Sequence, residues 1–176
     1  DEDVRVVILK GSGESFCAGG DLNWMKSMVD FTEEENRKDS EKLYDMYQAL
    51  LEVPVPVVAV VHGHVMGGGL GLVAVCDVVL AEKETKFCFS EVRLGLAPAV
   101  ISSFVALKIL PKDMSRYFLT AEIFDSLRAK EMGLVHEVGE VMEMVEVSTK
   151  VAKKISQNGP QAVRATKSLI NNITVH

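Results

Sequence analysis

"HGHVMGGGLGLVAVCD", residues 62–77, places three consecutive glycines directly before an unbroken apolar run. The five residues ahead of it, "VVAVV" (57–61), are β-branched or small and apolar, and read as a buried strand. The run after the glycines reads as a buried helix to roughly Cys76. A helix N-terminus carries unpaired N–H groups and a partial positive charge. Glycine there removes the Cβ that blocks close approach. A strand apolar at every position needs cover on both faces, so this stretch selects an α/β fold with a covered sheet.

A second loop has the same layout. "VRVVIL" (4–9) reads as a buried strand, Gly11-Ser12-Gly13 follows, and "CAGGDL" (17–22) leads into a short helix with Asp21 as a candidate N-cap. Two such loops whose N–H groups meet at one point make an oxyanion hole. The competing reading of each is an ordinary tight turn with close strand–helix packing. Phosphate binding fits poorly, because the chain has no G-x-G-x-x-G and the second loop lacks the Lys-Ser/Thr of a P-loop.

The rest of the chain keeps the alternation. Thr32-Glu33-Glu34-Glu35 is a capping box, and the helix it starts sets Leu43, Met46, Tyr47, Leu50 and Leu51 on one face. Pro54 and Pro56 end it. Strands are expected at 78–81 and 86–89. Helices are expected at about 99–109, 112–119, 126–132, 140–157 and 160–172, with 134–138 as a short strand or connector. Asn158-Gly159-Pro160 marks a break between the last two helices. The division expected is an α/β core over 1–110 and a helical region over 111–176.

Neither glycine loop contains an acid or base. The candidate is Glu91 in "KFCFSEVRLGLAPAVISSF", which follows an apolar strand and precedes a Leu-Gly-Leu-Ala-Pro loop. A carboxyl in apolar surroundings has its pKa raised towards the range useful for acid–base work. The plainer alternative is a surface Glu paired with Arg93. Asp77 reads as structural. Ser90 lacks a G-x-S-x-G context and a placed histidine, which argues against a serine nucleophile.

Composition bounds the rest. Of 176 residues, 48% are apolar and 25% charged, with a net charge of −6, which suits a globular domain and argues against nucleic acid as the main partner. No apolar run is long enough to span a membrane, and no signal peptide is visible. Cys17, Cys76 and Cys88 are read as reduced thiols of a cytoplasmic protein, and no Cys/His set has metal-ligand spacing. The chain opens at Asp1 without an initiator Met, which points to a longer protein.

"FCAGGDLNWM", "HGHVMGGGLGLVAVCDVVLA" and "FCFSEVRLGLAPAVIS", in this order and spacing, resemble the crotonase (enoyl-CoA hydratase/isomerase) superfamily. The resemblance implies stacked ββα units with N-terminal strands beyond the start of this chain. "DLNWM", "SEVRLGLAPAVIS" and "RYFLTAEIFDSLRAKEMGLVHEV" are most similar to bacterial 3-methylglutaconyl-CoA hydratases of leucine breakdown and to γ-carboxygeranoyl-CoA hydratases. It further implies an acyl-CoA thioester as substrate, with no cofactor beyond the coenzyme A the substrate carries, and a homotrimer or dimer of trimers.

By the same resemblance, the Gly20 and Gly68 N–H groups hold the thioester oxygen and Glu91 is the acid/base. Ala99 helps position a water, and the backbone at Ala18 and Leu22 holds the adenine. A second family glutamate falls here on Gly71. Gly71 is therefore expected to leave room for a branched, carboxylated acyl group, with Arg93 as candidate cation. The reaction implied is hydration of an α,β-unsaturated thioester. A double-bond isomerase using the same glutamate, and a non-catalytic acyl-CoA scaffold, are the alternatives.

Overall fold

The computed structural model describes residues 3–21 and 30–174. Two sheets organise the chain. The first is parallel and four-stranded, in the order β1 (Val7–Lys10), β2 (Val57–Val61), β4 (Val78–Glu82), β7 (Glu137–Gly139). The second is three-stranded, in the order β3 (His64–Met66), β5 (Lys86–Cys88), β6 (Phe124–Asp125), parallel between β3 and β5 and antiparallel between β5 and β6.

The chain repeatedly leaves the first sheet for the second. β2 passes into β3 through a corner at Gly63, whose φ of +63° and a Cβ position 2.1 Å from the Glu14 carbonyl admit only glycine. β4 passes into β5 through the turn at residues 83–85, where the Thr85 N–H donates to the Glu82 carbonyl at 3.1 Å. After β1, Cys17 bridges to Val65, so the first loop also reaches the second sheet. Helix α2 (Gly68–Ala74) returns the chain from β3 to β4, completing one strand–strand–helix unit.

β2 is buried at all five positions because both of its faces are covered. Val57, Ala59 and Val61 join a core with Tyr47, Leu70, Phe87 and Phe104, while Val58 and Val60 meet Leu80 and Met144 on the opposite side. That two-sided cover is the physical reason its sequence is continuously apolar rather than alternating.

Helix α1 (Glu33–Leu51) starts at the expected capping box: Thr32 accepts from the Glu35 N–H and Glu35 accepts from the Thr32 N–H. Tyr47 and Leu51 are buried and Leu43 and Leu50 pack on the core, but Met46 points to solvent. The further helices are α3 (Ala99–Val105), α4 (Pro111–Thr120), α5 (Ser126–Glu131), α6 (Val141–Ser156) and α7 (Pro160–Thr174).

The first strand is shorter than expected, starting at Val7, and α3 stops at Val105 rather than 109. β3 and β6 were not expected; they have three and two residues, too few for a period to register. The short helix expected after Asp21 lies outside the described residues.

Helix α7 is anchored where β2 and β4 begin. Lys167 donates to the Asp77 carboxylate at 2.7 Å and to the Val55 carbonyl at 3.1 Å, and Asp77 also accepts from the Val57 N–H at 2.7 Å. Asp77 is thus a structural anchor, as its sequence context indicated. No helix among the described residues is long and apolar enough to cross a membrane.

Candidate active site

The site is built where β3 and β5 end side by side. Their register pairs Met66 with Cys88, and the Gly67 N–H donates to the Cys88 carbonyl at 2.9 Å. The residues that follow each strand therefore lie together: Gly67 and Gly68 after β3, Ser90 and Glu91 after β5. Gly67 caps α2 with φ +50°, and a Cβ placed there lies 3.4 Å from Ser90 Oγ and 3.5 Å from Glu91 Oε1. A side chain at 67 would be strained in its backbone and would crowd the carboxylate. Gly68 opens α2, so its N–H has no acceptor within the helix.

Glu91 begins a 3-10 turn, Glu91–Leu94, closed by Gly95 at φ +73°. Its Oε2 is buried without a hydrogen-bond partner. Burial pushes its pKa above the ordinary carboxylate range, and a hydrogen bond from backbone only partly offsets this. The Arg93 pairing considered from sequence does not form: the Arg93 guanidinium donates to the Ala121 carbonyl at 2.6 Å. That contact also weakens Arg93 as a cation for a substrate carboxylate. Val92, Leu94 and Leu96 around Glu91 are exposed.

The first loop is laid against β3. The Cys17 N–H donates to the His64 carbonyl at 3.0 Å, and the Met66 N–H to the Cys17 carbonyl at 2.9 Å. Cys17 then packs on α2, its Cβ only 2.7 Å from the Cβ position of Gly69. Ala18, Gly19 and Gly20 run out beyond this contact as exposed residues, with Gly19 at φ +114°. Both glycine loops thus reach the same end of the molecule. Leu22 lies outside the described residues.

Ala99 is the first residue of α3, after the N-cap Pro98, and its N–H is likewise free of an intrahelical acceptor. Two residues on, Ile101 touches Gly71. Among the described residues no histidine bonds Ser90, whose sequence context argued against a serine nucleophile. Ser15 Oγ does lie 3.1 Å from His64 Nδ1, but it also accepts the His64 N–H at 3.2 Å, tying down the β2–β3 corner.

Gly71 does not leave room. A Cβ there would lie 2.7 Å from Tyr47 Cζ and 2.8 Å from both Tyr47 Cε1 and Ile101 Cγ2. The ring of Tyr47, 1% exposed, fills the space, and its hydroxyl donates to the Gly68 carbonyl at 2.8 Å. Burial, then the neighbouring Cys17 and Glu91, hold its pKa well above that of an ordinary phenol, so it remains an O–H donor at neutral pH. Sequence reading placed Tyr47 correctly on the buried face but missed this contact. The available signal was a hydroxyl on a buried ring, which needs a partner.

The chain matches the enoyl-CoA hydratase/isomerase family over residues 1–174 and belongs to it. It is 33% identical to the short-chain-enoyl-CoA hydratase of Clostridium acetobutylicum, over 97% of this chain and 65% of that protein. It is 31% identical to the peroxisomal Δ(3,5)-Δ(2,4)-dienoyl-CoA isomerase of Arabidopsis thaliana, over 96% of this chain and 64% of that protein. A crystal structure from Legionella pneumophila, provisionally described as an enoyl-CoA hydratase/isomerase (crotonase), superposes with a TM-score of 0.93 at 43% identity, over 98% of this chain and 67% of that one. The fold is the crotonase fold. The chain spans about two thirds of the length of these relatives.

Proposed function

We propose that this chain carries the site of an acyl-CoA hydratase that adds water across an α,β-unsaturated thioester with a single carboxylate. The observation that carries the reading is Glu91: a buried carboxylate oxygen without a partner, beside the glycine-capped N-terminus of α2. Family membership supplies the thioester class.

In the mechanism, ionised Glu91 takes a proton from water as the water oxygen bonds to Cβ. The alkene π electrons move into the thioester, and negative charge develops on its oxygen. The Gly20 and Gly68 N–H groups stabilise that charge, and losing one such donor typically costs about 100- to 1000-fold. Glu91 then returns its proton to Cα, which requires addition of water to one face. The Ala99 N–H orients the water. The backbone at Ala18 holds the adenine of coenzyme A, which the substrate itself carries, so the reaction calls for no separate cofactor.

The acyl group to try first is the 3-methylglutaconyl type, on the narrower sequence resemblance alone. The room once expected at Gly71 is filled by Tyr47, and Arg93 is engaged elsewhere. A double-bond isomerase is the second reading, favoured by the lone carboxylate, which suffices to move one proton between carbons. The exposed apolar residues Val92, Leu94 and Leu96 fit burial by a further copy of the chain in a trimer or dimer of trimers.

The test is turnover of crotonyl-CoA, 3-methylglutaconyl-CoA and a 3-enoyl-CoA by the wild type and Glu91→Gln. Loss of conjugated-thioester absorbance with gain of a water mass, abolished in the variant, supports the hydratase. Product of unchanged mass supports the isomerase. Binding without turnover of any of the three overturns both.

A further inference from the structure

We infer that Tyr47 is a positioning residue of this site, holding Gly68 in the geometry from which its N–H meets the thioester oxygen. The inference rests on the acyl-CoA reading above. Helix α2 opens with three glycines in its cap and first turn, residues with the most backbone freedom and the least capacity to pack. A donor that must lie within a few tenths of an ångström of its target cannot be left on such a segment unsupported.

The structure supplies the support from outside the helix. Tyr47 Oη lies 2.8 Å from the Cβ position of Gly68 and Tyr47 Cζ lies 2.7 Å from that of Gly71, while Cys17 occupies the Cβ position of Gly69. Two foreign side chains thus stand where the methyls of the first turn would be. Of the two, only Tyr47 also bonds the backbone, donating to the Gly68 carbonyl. The ring is itself fixed by Phe104, at 5.5 Å between centroids. Oη therefore fixes the residue carrying the proposed oxyanion donor, without contact with the reacting atoms. A buried hydroxyl needs a partner, and the one this hydroxyl takes is the carbonyl of the residue that carries the proposed donor.

The test compares wild type, Tyr47→Phe and Tyr117→Phe with the enoyl-CoA that the wild type turns over. Tyr47→Phe keeps the ring and removes only the bond to Gly68. Tyr117 is a second buried tyrosine, whose hydroxyl accepts from the Arg128 guanidinium at 3.0 Å, and it controls for loss of a buried hydroxyl. The expected result is a fall in kcat of about tenfold for Tyr47→Phe, the equivalent of one net hydrogen bond. KM should stay within about twofold, because charge on the oxygen develops only in the transition state. The pH profile should keep its wild-type shape, since Tyr47 transfers no proton, and Tyr117→Phe should keep wild-type kcat. Unchanged kcat in Tyr47→Phe overturns the inference, as does a fall shared equally by Tyr117→Phe.

Failure of the hydratase reading shows separately, as a wild type that turns over no enoyl-CoA. The inference is then decided by amide hydrogen exchange at Gly68 and Gly69. Faster exchange in Tyr47→Phe supports it, and exchange equal to the wild type overturns it.

Discussion

Gly71→Ala sets two effects of opposite sign against each other. Alanine is the better helix former by about 1 kcal/mol, and nothing in the backbone at Gly71 demands glycine. The added methyl, however, would sit 2.7–2.8 Å from Tyr47 Cζ, Tyr47 Cε1 and Ile101 Cγ2. The ring cannot swing away, because it is buried, bonded to Gly68 and packed on Phe104. Overpacking of this kind costs roughly 1–3 kcal/mol, and a fixed ring puts it in the upper part of that range. The net effect is a loss of about 1–2 kcal/mol, or roughly 2–8 °C in melting temperature for a chain of this size. In a Tyr47→Ala background the ring is gone and Ile101 Cγ2, the one remaining close atom, can shift into the space it leaves, so Gly71→Ala should be neutral or stabilising by up to about 1 kcal/mol. The four proteins form a double-mutant cycle with a coupling of about 1–3 kcal/mol, read from thermal and urea melts. A Gly71→Ala protein that is stabilised by its full helix propensity would refute the reasoning, and with it the claim that Tyr47 fills this space.

The further predictions concern charge. Glu91→Gln should lower turnover by about 100- to 10,000-fold. It should also raise stability at pH 7 more than at pH 4. The folded-state pKa of Glu91 is raised by burial, so its folded form holds the proton more tightly than the unfolded chain, and wild-type stability falls as pH rises through that window. Equal shifts in melting temperature at the two pH values would contradict this. The acid limb of the wild-type pH–rate profile should correspondingly lie above the ordinary glutamate pKa of about 4.3. Lys167→Met should cost about 3 kcal/mol, roughly 6–12 °C, by leaving Asp77 charged with only the Val57 N–H to bond it. The low end of the range for broken buried pairs applies because Asp77 is 24% exposed against 5% for Lys167. An unchanged melting temperature would show that the pair anchors nothing.

What the sequence made legible was local. The Thr32 capping box, the five apolar residues of β2 and the Gly159–Pro160 break each act through neighbours a few residues away, and each appears where expected. Glu91 was found because an acid between apolar segments is locally conspicuous. What failed to show was decided at a distance. Met46 shares a helical face with Tyr47, yet no element among the described residues buries it. Gly71 looked like open space because its own residue is small, whereas the volume belongs to a ring 24 residues earlier in the chain. Arg93 looked available to Glu91 or to a substrate until the chain turned it onto a carbonyl 28 residues on. β3 and β6 are held by cross-strand partners rather than by any pattern of their own.

The most direct test of the single-carboxylate site is a crystal structure of the protein with a non-hydratable saturated acyl-CoA. The thioester oxygen is expected about 2.7–3.1 Å from both the Gly20 and the Gly68 N–H, with Glu91 facing Cα and Cβ. A thioester bound elsewhere, or an acyl chain whose Cα and Cβ lie out of reach of Glu91, would contradict it.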